Sequence, residues 1–342
     1  MGILLIPILS FVPMLLYTLF LWWLDRYEKE PLPLLVVAFI WGAIPSIILA
    51  LISQLLLDIP IIALGTSPLM YDLLGASLIA PLTEEGIKAL AVLALLLFMR
   101  QEIDSPIDGL VYGGIIGFGF AAVENVLYLA SAYVEGGAAG VLVLGLLRSV
   151  VFGLNHAMFT GFTGLSVALS LEVKNKALRP LVILGGFLAA VGAHAFHNAF
   201  STFSNYTDGG AASLLVALVA DWSGVLLLLM VALLTFILER QRILAYADVL
   251  VKSNTISERE ITILKSAWLR GMARVDALTS GGVKRWWTTG QYYQRLTESA
   301  FAWYRMNQGD SKSEERLHKL EQETQALRQA LAAPPKPTSP QS

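Results

Sequence analysis

Cysteine is absent from all 342 residues. Its absence excludes disulfides, thiolate metal sites and a cysteine nucleophile. Charge is scarce as well. Charged residues make up 15% of the chain, against about 25% in a soluble protein of this length. The scarcity is uneven. Residues 1–238 hold 8 Lys/Arg and 15 Asp/Glu, whereas residues 239–342 hold 16 and 11. The C-terminal region is therefore basic and water-exposed. The N-terminal part is dominated by apolar runs, within an overall apolar content of 56%.

Those runs predict an all-α, polytopic transmembrane bundle of about seven spans, near residues 3–24, 33–57, 72–99, 107–134, 147–171, 179–203 and 211–238. Each reaches the ~20 residues that cross a bilayer. The first run has no basic residue before it and no small-residue cleavage site, so it reads as a retained span. Arg26 and Lys29, Arg100, then Lys174, Lys176 and Arg179 fall in alternate loops, and Arg240 and Arg242 follow the last span. Loops 58–71, 135–146 and 204–210 have no Lys or Arg. The positive-inside rule then puts the N-terminus outside and the C-terminus in the cytoplasm. The expected location is a bacterial plasma membrane.

Three regions follow: a transmembrane domain 1–238, a cytoplasmic helical region 239–332 and a disordered tail 333–342. Ser257-x-x-Glu260 reads as a capping box opening a helix to about Leu278. Gly281-Gly282 ends it. A second helix, 283–307, carries Trp286, Trp287, Tyr292, Tyr293, Trp303 and Tyr304, and Ser311-x-x-Glu314 starts a third. These aromatics suit a small core or a membrane-surface contact, not a nucleic-acid platform. The basic excess suits the electrostatics of a membrane surface.

Polar groups inside the spans carry the functional signal. An acid or lysine at mid-membrane costs roughly 2.5–3.5 kcal/mol on insertion scales. Span three nevertheless holds Glu84, Glu85 and Lys88. Span four holds Phe120-x-x-x-Glu124-Asn125. Span five holds Arg148, Asn155, His156 and Thr160, and span six holds His194, His197 and Asn198. Glu84 and Lys88 lie four apart and share a helix face. Glu85 lies about 100° round the helix, with no local partner expected. Arg148 reads as a snorkelling interfacial residue. Counted from the outer ends, Glu84, Glu124, His156 and His194 lie roughly 13–18 Å deep at about 1.5 Å per residue. One polar site in the outer half of the membrane is expected. Gly113, Gly114, Gly117, Gly119, Gly161, Gly164, Gly185, Gly186 and Gly192 thread the same helices and permit close approach.

This set suits hydrolysis. A desolvated glutamate can accept a proton from water. Imidazoles and a carboxamide can stabilise an oxyanion. Alternatively, Glu84, Glu85, Glu124, His156 and His194 could supply a zinc shell. The helical signature H-E-x-x-H is absent, as is a Gly-x-Ser-x-Gly elbow. Zinc or no cofactor are both open on the residues alone.

E-E-x-x-K at Glu84-Glu85-x-x-Lys88, F-x-x-x-E-N at Phe120–Asn125, H-x-x-x-T-G at His156–Gly161 and H-x-x-x-N at His194–Asn198 resemble the PrsW family of intramembrane proteases. That family is related to the CAAX-protease and bacteriocin-processing superfamily. The resemblance covers roughly residues 30–205. It implies a peptidase acting on a membrane-anchored protein substrate within the bilayer, with Glu84, Glu85, Glu124, His156, His194 and Asn198 catalytic. Lys88, Phe120, Asn125, Thr160 and His197 would support them. Where the wider superfamily usually has histidine, this chain has Glu124. The favoured mechanism has Glu84 or Glu85 activating water, Glu124 and His156 positioning it, and His194 with Asn198 stabilising the oxyanion. The competing class is a proton- or ion-coupled transporter using the same buried Glu, His and Lys groups. No inverted repeat supports it. A signalling scaffold is a third class.

Overall fold

The computed structural model describes residues 2–24, 27, 30–63, 65–103, 105–207 and 210–332. The loop cations Arg26 and Lys29 and the tail 333–342 lie outside the described residues. Every regular element among the described residues is helical. The chain divides into an N-terminal unit, reaching Thr235, and a C-terminal unit from Phe236.

The N-terminal unit contains α1 (Gly2–Leu24), α2 (Leu32–Trp41), α3 (Ile47–Ala63), α4 (Pro68–Leu74), α5 (Ala80–Phe98), α6 (Pro106–Leu146), α7 (Asn155–Glu172), α8 (Arg179–Tyr206) and most of α9 (Gly210–Lys252). Among the described residues, five helical runs are long and apolar enough to cross a membrane: Gly2–Leu24, Leu32–Ala63, Pro106–Glu172, Lys176–Tyr206 and Gly210–Lys252. A helical membrane bundle is thus the fold, and the chain is an integral, multi-pass membrane protein. The expected span 72–99 is helical but carries Glu84, Glu85 and Lys88, so it does not meet that apolarity. Two other expected spans fall within the 67-residue run Pro106–Glu172. That run doubles back at Gly137 (φ 60°, ψ −147°). Leu129 and Val141 then meet in one buried cluster across the hairpin.

α6 is the centre. From Pro106 to Ala122 every residue is buried, because the stretch, Asp108 and Tyr112 aside, is apolar or glycine on all faces. α7 packs along it at backbone contact. A Cβ added at Gly109 would lie 2.1 Å from the Gly164 oxygen, and one at Gly117 would lie 2.2 Å from the His156 oxygen. Not every glycine named above serves this purpose: Gly185 and Gly192 have no such neighbour within 4 Å.

Three widened π-helical turns interrupt the unit, at Gly42–Ser46, Gly75–Ile79 and Leu147–Val151. Pro45 sits in the first and Pro81 follows the second. A proline has no N–H for the carbonyl four residues back, so the helix must loosen there. The third ends in a turn, and Asn155 and His156 become the first residues of α7.

In the C-terminal unit, α10 (Glu258–Leu264), α11 (Ala267–Asn307) and α12 (Ser311–Ala332) follow the end of α9. The capping box of Ser257 and Glu260 is present. The helix it opens ends at Leu264 rather than near Leu278. Ser266 accepts the Leu269 N–H and starts a new helix. Gly282 (φ 71°) kinks α11 where the break was expected. α12 begins after Asp310, whose carboxylate accepts the Lys312 N–H and the Ser313 hydroxyl. Asp310 thus caps this end, and the side chain of Ser311, the expected cap, lies outside the described ones. Tyr246, Leu264, Tyr292, Tyr293, Leu296 and Phe301 form this unit's core.

Candidate active site

α5 brings Glu84, Glu85 and Lys88 into the N-terminal unit, and all three side chains are buried. The ion pair differs from the one spacing suggests. Lys88 Nζ lies 2.7 Å from Glu85 Oε1 and 3.7 Å from Glu84 Oε2. Glu85 therefore has a local partner after all. It also accepts from the Thr160 hydroxyl at 2.9 Å and faces His194 Nδ1 at 3.1 Å. Both Glu85 oxygens are thus engaged.

Glu84 is less satisfied. Gln54 Nε2 donates to its Oε1 at 3.1 Å. Its Oε2 is buried without a hydrogen-bond partner among the described residues. His194 Nε2 faces that oxygen at 3.9 Å. A carboxylate only accepts, so the Glu85 contact puts the proton of neutral His194 on Nδ1. Its Nε2 then presents a lone pair to Glu84. Two buried acceptors face each other across a gap that only a cation or a proton can bridge favourably.

His156 completes the group. Its Nδ1 lies 3.1 Å from Lys88 Nζ, and its Nε2 lies 2.9 Å from Glu124 Oε2. An ammonium only donates, so Nδ1 accepts and Nε2–H donates to Glu124. Glu124 is also held by the Arg148 guanidinium. Arg148 reaches Asn125 Oδ1 at 2.9 Å and lies over the Tyr128 ring at 3.7 Å. Arg148 is thus a member of the polar network, not a snorkelling residue at the interface. Lys88 Nζ stands 3.7 Å from the Phe120 ring centre, a cation–π contact in a desolvated place. Phe159 stacks on His194 at 4.6 Å and fixes its plane.

The residues fit a metal. Ligand atoms of Glu84, His156 and His194 all lie within 4.8 Å of one another. One carboxylate and two imidazoles form a common catalytic zinc donor set. Glu85 behind His194 supplies the carboxylate that usually orients a ligating histidine. Glu84 Oε2, with no hydrogen bond and only the 3.7 Å approach of Lys88, is the atom such a cation would satisfy.

A cavity of about 660 Å³ opens beside this group, lined by Gln54, Glu84, Phe120, Glu124, Asn125, His156, His194, His197 and Asn198 among others. Asn198, expected to stabilise an oxyanion, donates through Nδ2 to the Ala76 carbonyl at 2.7 Å. That carbonyl belongs to the widened turn before α5, where a backbone acceptor needs a new donor. His197 belongs to a second cluster. Its Nδ1 lies 2.7 Å from Asp221 Oδ2, and Asn155 Nδ2 donates to the same oxygen at 2.8 Å. Asp221 and Gln54 were not singled out from the sequence. A lone acid in the apolar run 211–238 was the available signal for Asp221.

Known proteins resemble this chain in sequence. Protease PrsW of Clostridioides difficile (strain 630) is 32% identical over 152 residues, 44% of this chain and 60% of that protein. Protease PrsW of Geobacillus kaustophilus (strain HTA426) is 31% identical over 140 residues, 41% of this chain and 55% of that protein. Protease PrsW of Bacillus subtilis (strain 168) is 27% identical over 111 residues, 32% and 47% of the two chains. The chain thus spans between 47% and 60% of the length of these relatives. No solved structure matches it. The PrsW family intramembrane metalloprotease pattern matches residues 30–237, a stretch that contains Glu84, Glu124, His156 and His194. The chain belongs to that family.

Proposed function

We propose that this protein is an intramembrane endopeptidase that hydrolyses a peptide bond of a membrane-anchored protein. The observation that carries the reading is the pair of facing acceptors, Glu84 Oε2 and His194 Nε2, beside His156 at the wall of a cavity. Glu84, His156 and His194 would hold a zinc ion. Bound there, zinc supplies Lewis-acid polarisation of the scissile carbonyl and activation of water.

The protein's own residues do the remaining work. Glu85 holds His194 in the tautomer that leaves Nε2 free. Arg148, itself held by Asn125, fixes Glu124 against the cavity wall. Glu124 then takes the proton from the attacking water and returns it to the leaving amine, as a positioned carboxylate does in general acid–base catalysis. The cavity is walled by α3, α6 and α8 among others, and water expelled when a substrate fills it would strengthen each of these interactions. The site is proposed to lie in the outer half of the membrane, with the N-terminus outside and the C-terminal unit in the cytoplasm.

One observation favours a second, metal-free reading. Lys88 Nζ lies 3.7 Å from Glu84 Oε2 and already takes up the His156 Nδ1 lone pair at 3.1 Å, so a metal bound at that nitrogen would have to displace the ammonium. In that case Glu84 itself is the base. Metal analysis of purified protein separates the two. Stoichiometric zinc in the wild type, lost from His194→Ala, supports the first reading. Metal-free protein that cleaves a single-span substrate in proteoliposomes, and does so despite a permeant chelator, supports the second. Intact substrate with either form of the wild type refutes the peptidase.

A further inference from the structure

The C-terminal unit exposes an apolar face that its core does not use. Among its described residues beyond 251, every exposed large apolar side chain lies between 268 and 287, on α11. Trp268 is 75% exposed, Met272 47% and Val275 53%. At about 100° per residue these three fall within roughly 60° of arc. Arg270 and Ala277, on the opposite side of the helix, are buried. After the kink at Gly282 the pattern resumes, with Val283 71% and Trp287 59% exposed. The aromatics further along, Tyr292, Tyr293 and Phe301, face the core instead. One helix therefore carries two apolar faces, and only one is covered.

The charges around the open face have one dominant sign. Of the five Lys/Arg between 265 and 287, Arg270 is buried and Arg274 lies over the Trp286 ring, which leaves Lys265, Lys284 and Arg285 against a single acid, Asp276. Lys284 is exposed beside Val283. We propose that this face of α11 docks on the surface of a bilayer containing anionic phospholipid. Tryptophan at both ends suits the headgroup level, where an indole keeps its ring in the acyl boundary and its N–H among polar groups. Met272 and Val275 would enter the acyl boundary, and the lysines would meet phosphates, as in interfacial amphipathic helices. A bilayer is always within reach of this chain, because its N-terminal unit is embedded in one. The inference does not depend on the peptidase reading.

The absence of cysteine makes the test direct. Met272→Cys and Val275→Cys, made singly in the full-length protein and labelled with an environment-sensitive fluorophore, are compared with Gln329→Cys on the exposed side of α12. Each is reconstituted in phosphatidylcholine nanodiscs with and without phosphatidylglycerol. Blue-shifted emission at 272 and 275, quenched by brominated acyl chains and strongest with phosphatidylglycerol, supports the proposal, provided 329 stays solvent-like. Reversing Lys284 and Arg285 to Glu should then abolish most of the shift. Solvent-like emission at 272 and 275 in both bilayers would overturn it. So would an equal shift in the two bilayers, or a shift in lipid-free detergent that grows with protein concentration, which would assign the face to a second copy.

Discussion

Gly117→Ala tests whether the site depends on how closely α7 approaches α6. A Cβ at residue 117 would sit 2.2 Å from the His156 carbonyl oxygen and 2.7 Å from the Ala157 nitrogen. Both neighbours are backbone, so no side chain can swing aside. The helices must part by about 1 Å at the first turn of α7 to restore ordinary contact. Overpacking of this kind costs about 1–3 kcal/mol in stability. The larger effect should be on catalysis. His156 moves with its backbone, away from Glu124 and Lys88, and a displacement of about 1 Å at a reacting centre can cost about 100-fold in rate. The assay is the initial rate of cleavage of a single-span substrate in proteoliposomes, normalised to folded protein. Gly192→Ala is the control, since its Cβ meets nothing within 4 Å. A Gly117→Ala enzyme with the wild-type rate would refute the reasoning, as would an equal loss in Gly192→Ala.

Glu84→Gln should abolish cleavage with near-normal accumulation, whereas Glu85→Gln should also destabilise, by about 3–5 kcal/mol, because it leaves buried Lys88 without its 2.7 Å partner. Equal thermal stability of the two variants would reverse their assigned roles. Asp221→Asn should lower the cleavage rate less than Glu84→Gln, since Asp221 acts through His197 and Asn155; a complete loss with unchanged folding would promote it to the site itself. Reporter fusions at residues 62 and 342 should report opposite sides of the membrane, and the same side for both would sink the proposed orientation. Burial opposes charge on Glu260, but hydrogen bonds from Ser257 and Tyr292 and the charge of Arg328 outweigh it and hold the carboxyl below its ordinary range. A lowered folded value stabilises the fold above about pH 4.5, and that contribution is lost as pH falls through the folded value. The C-terminal unit's melting temperature should therefore fall on acidification, more steeply in the wild type than in Glu260→Gln.

Much of the fold was legible because hydrocarbon permits few alternatives. A run of apolar residues must be helical to satisfy its own backbone, so composition and length alone find the helices. What they do not find is register. The chain from Pro106 to Glu172 contains two expected spans, yet the hairpin turns at Gly137 and the returning helix already begins at residue 138. Gly136-Gly137 marks the turn itself, but nothing in the apolar run 138–146 shows that the expected loop is already helix there. The split between α10 and α11 was missed for a related reason. Lys265 and Ser266 fit a helix interior by propensity, and only the N–H of Leu269 closing on Ser266 shows that a new helix starts there.

The polar group of the candidate site was legible because a buried charge is costly enough to be conspicuous. Glu84, Glu124, His156 and His194 stood out on four separate helices, and the structure brings them into one group. The assignment of roles was not legible. Glu84 and Glu85 are adjacent, about 100° apart on one helix. Which carboxylate faces the cavity depends on the rotation of α5, which packing sets and spacing does not. Asn155 and His156 show the same division at the start of α7. Asn155 turns to Asp221 and His197, while His156 turns to Glu124 and Lys88. One helix end therefore orients both polar clusters. Its carbonyl at residue 156 is also the atom against which Gly117 packs. The glycine contact, itself uncharged, thus fixes the rotation and height of α7 for both clusters. A methyl group at that point should disturb Glu124–His156 and Asn155–Asp221 together, whereas a change at Asp221 should reach only the second.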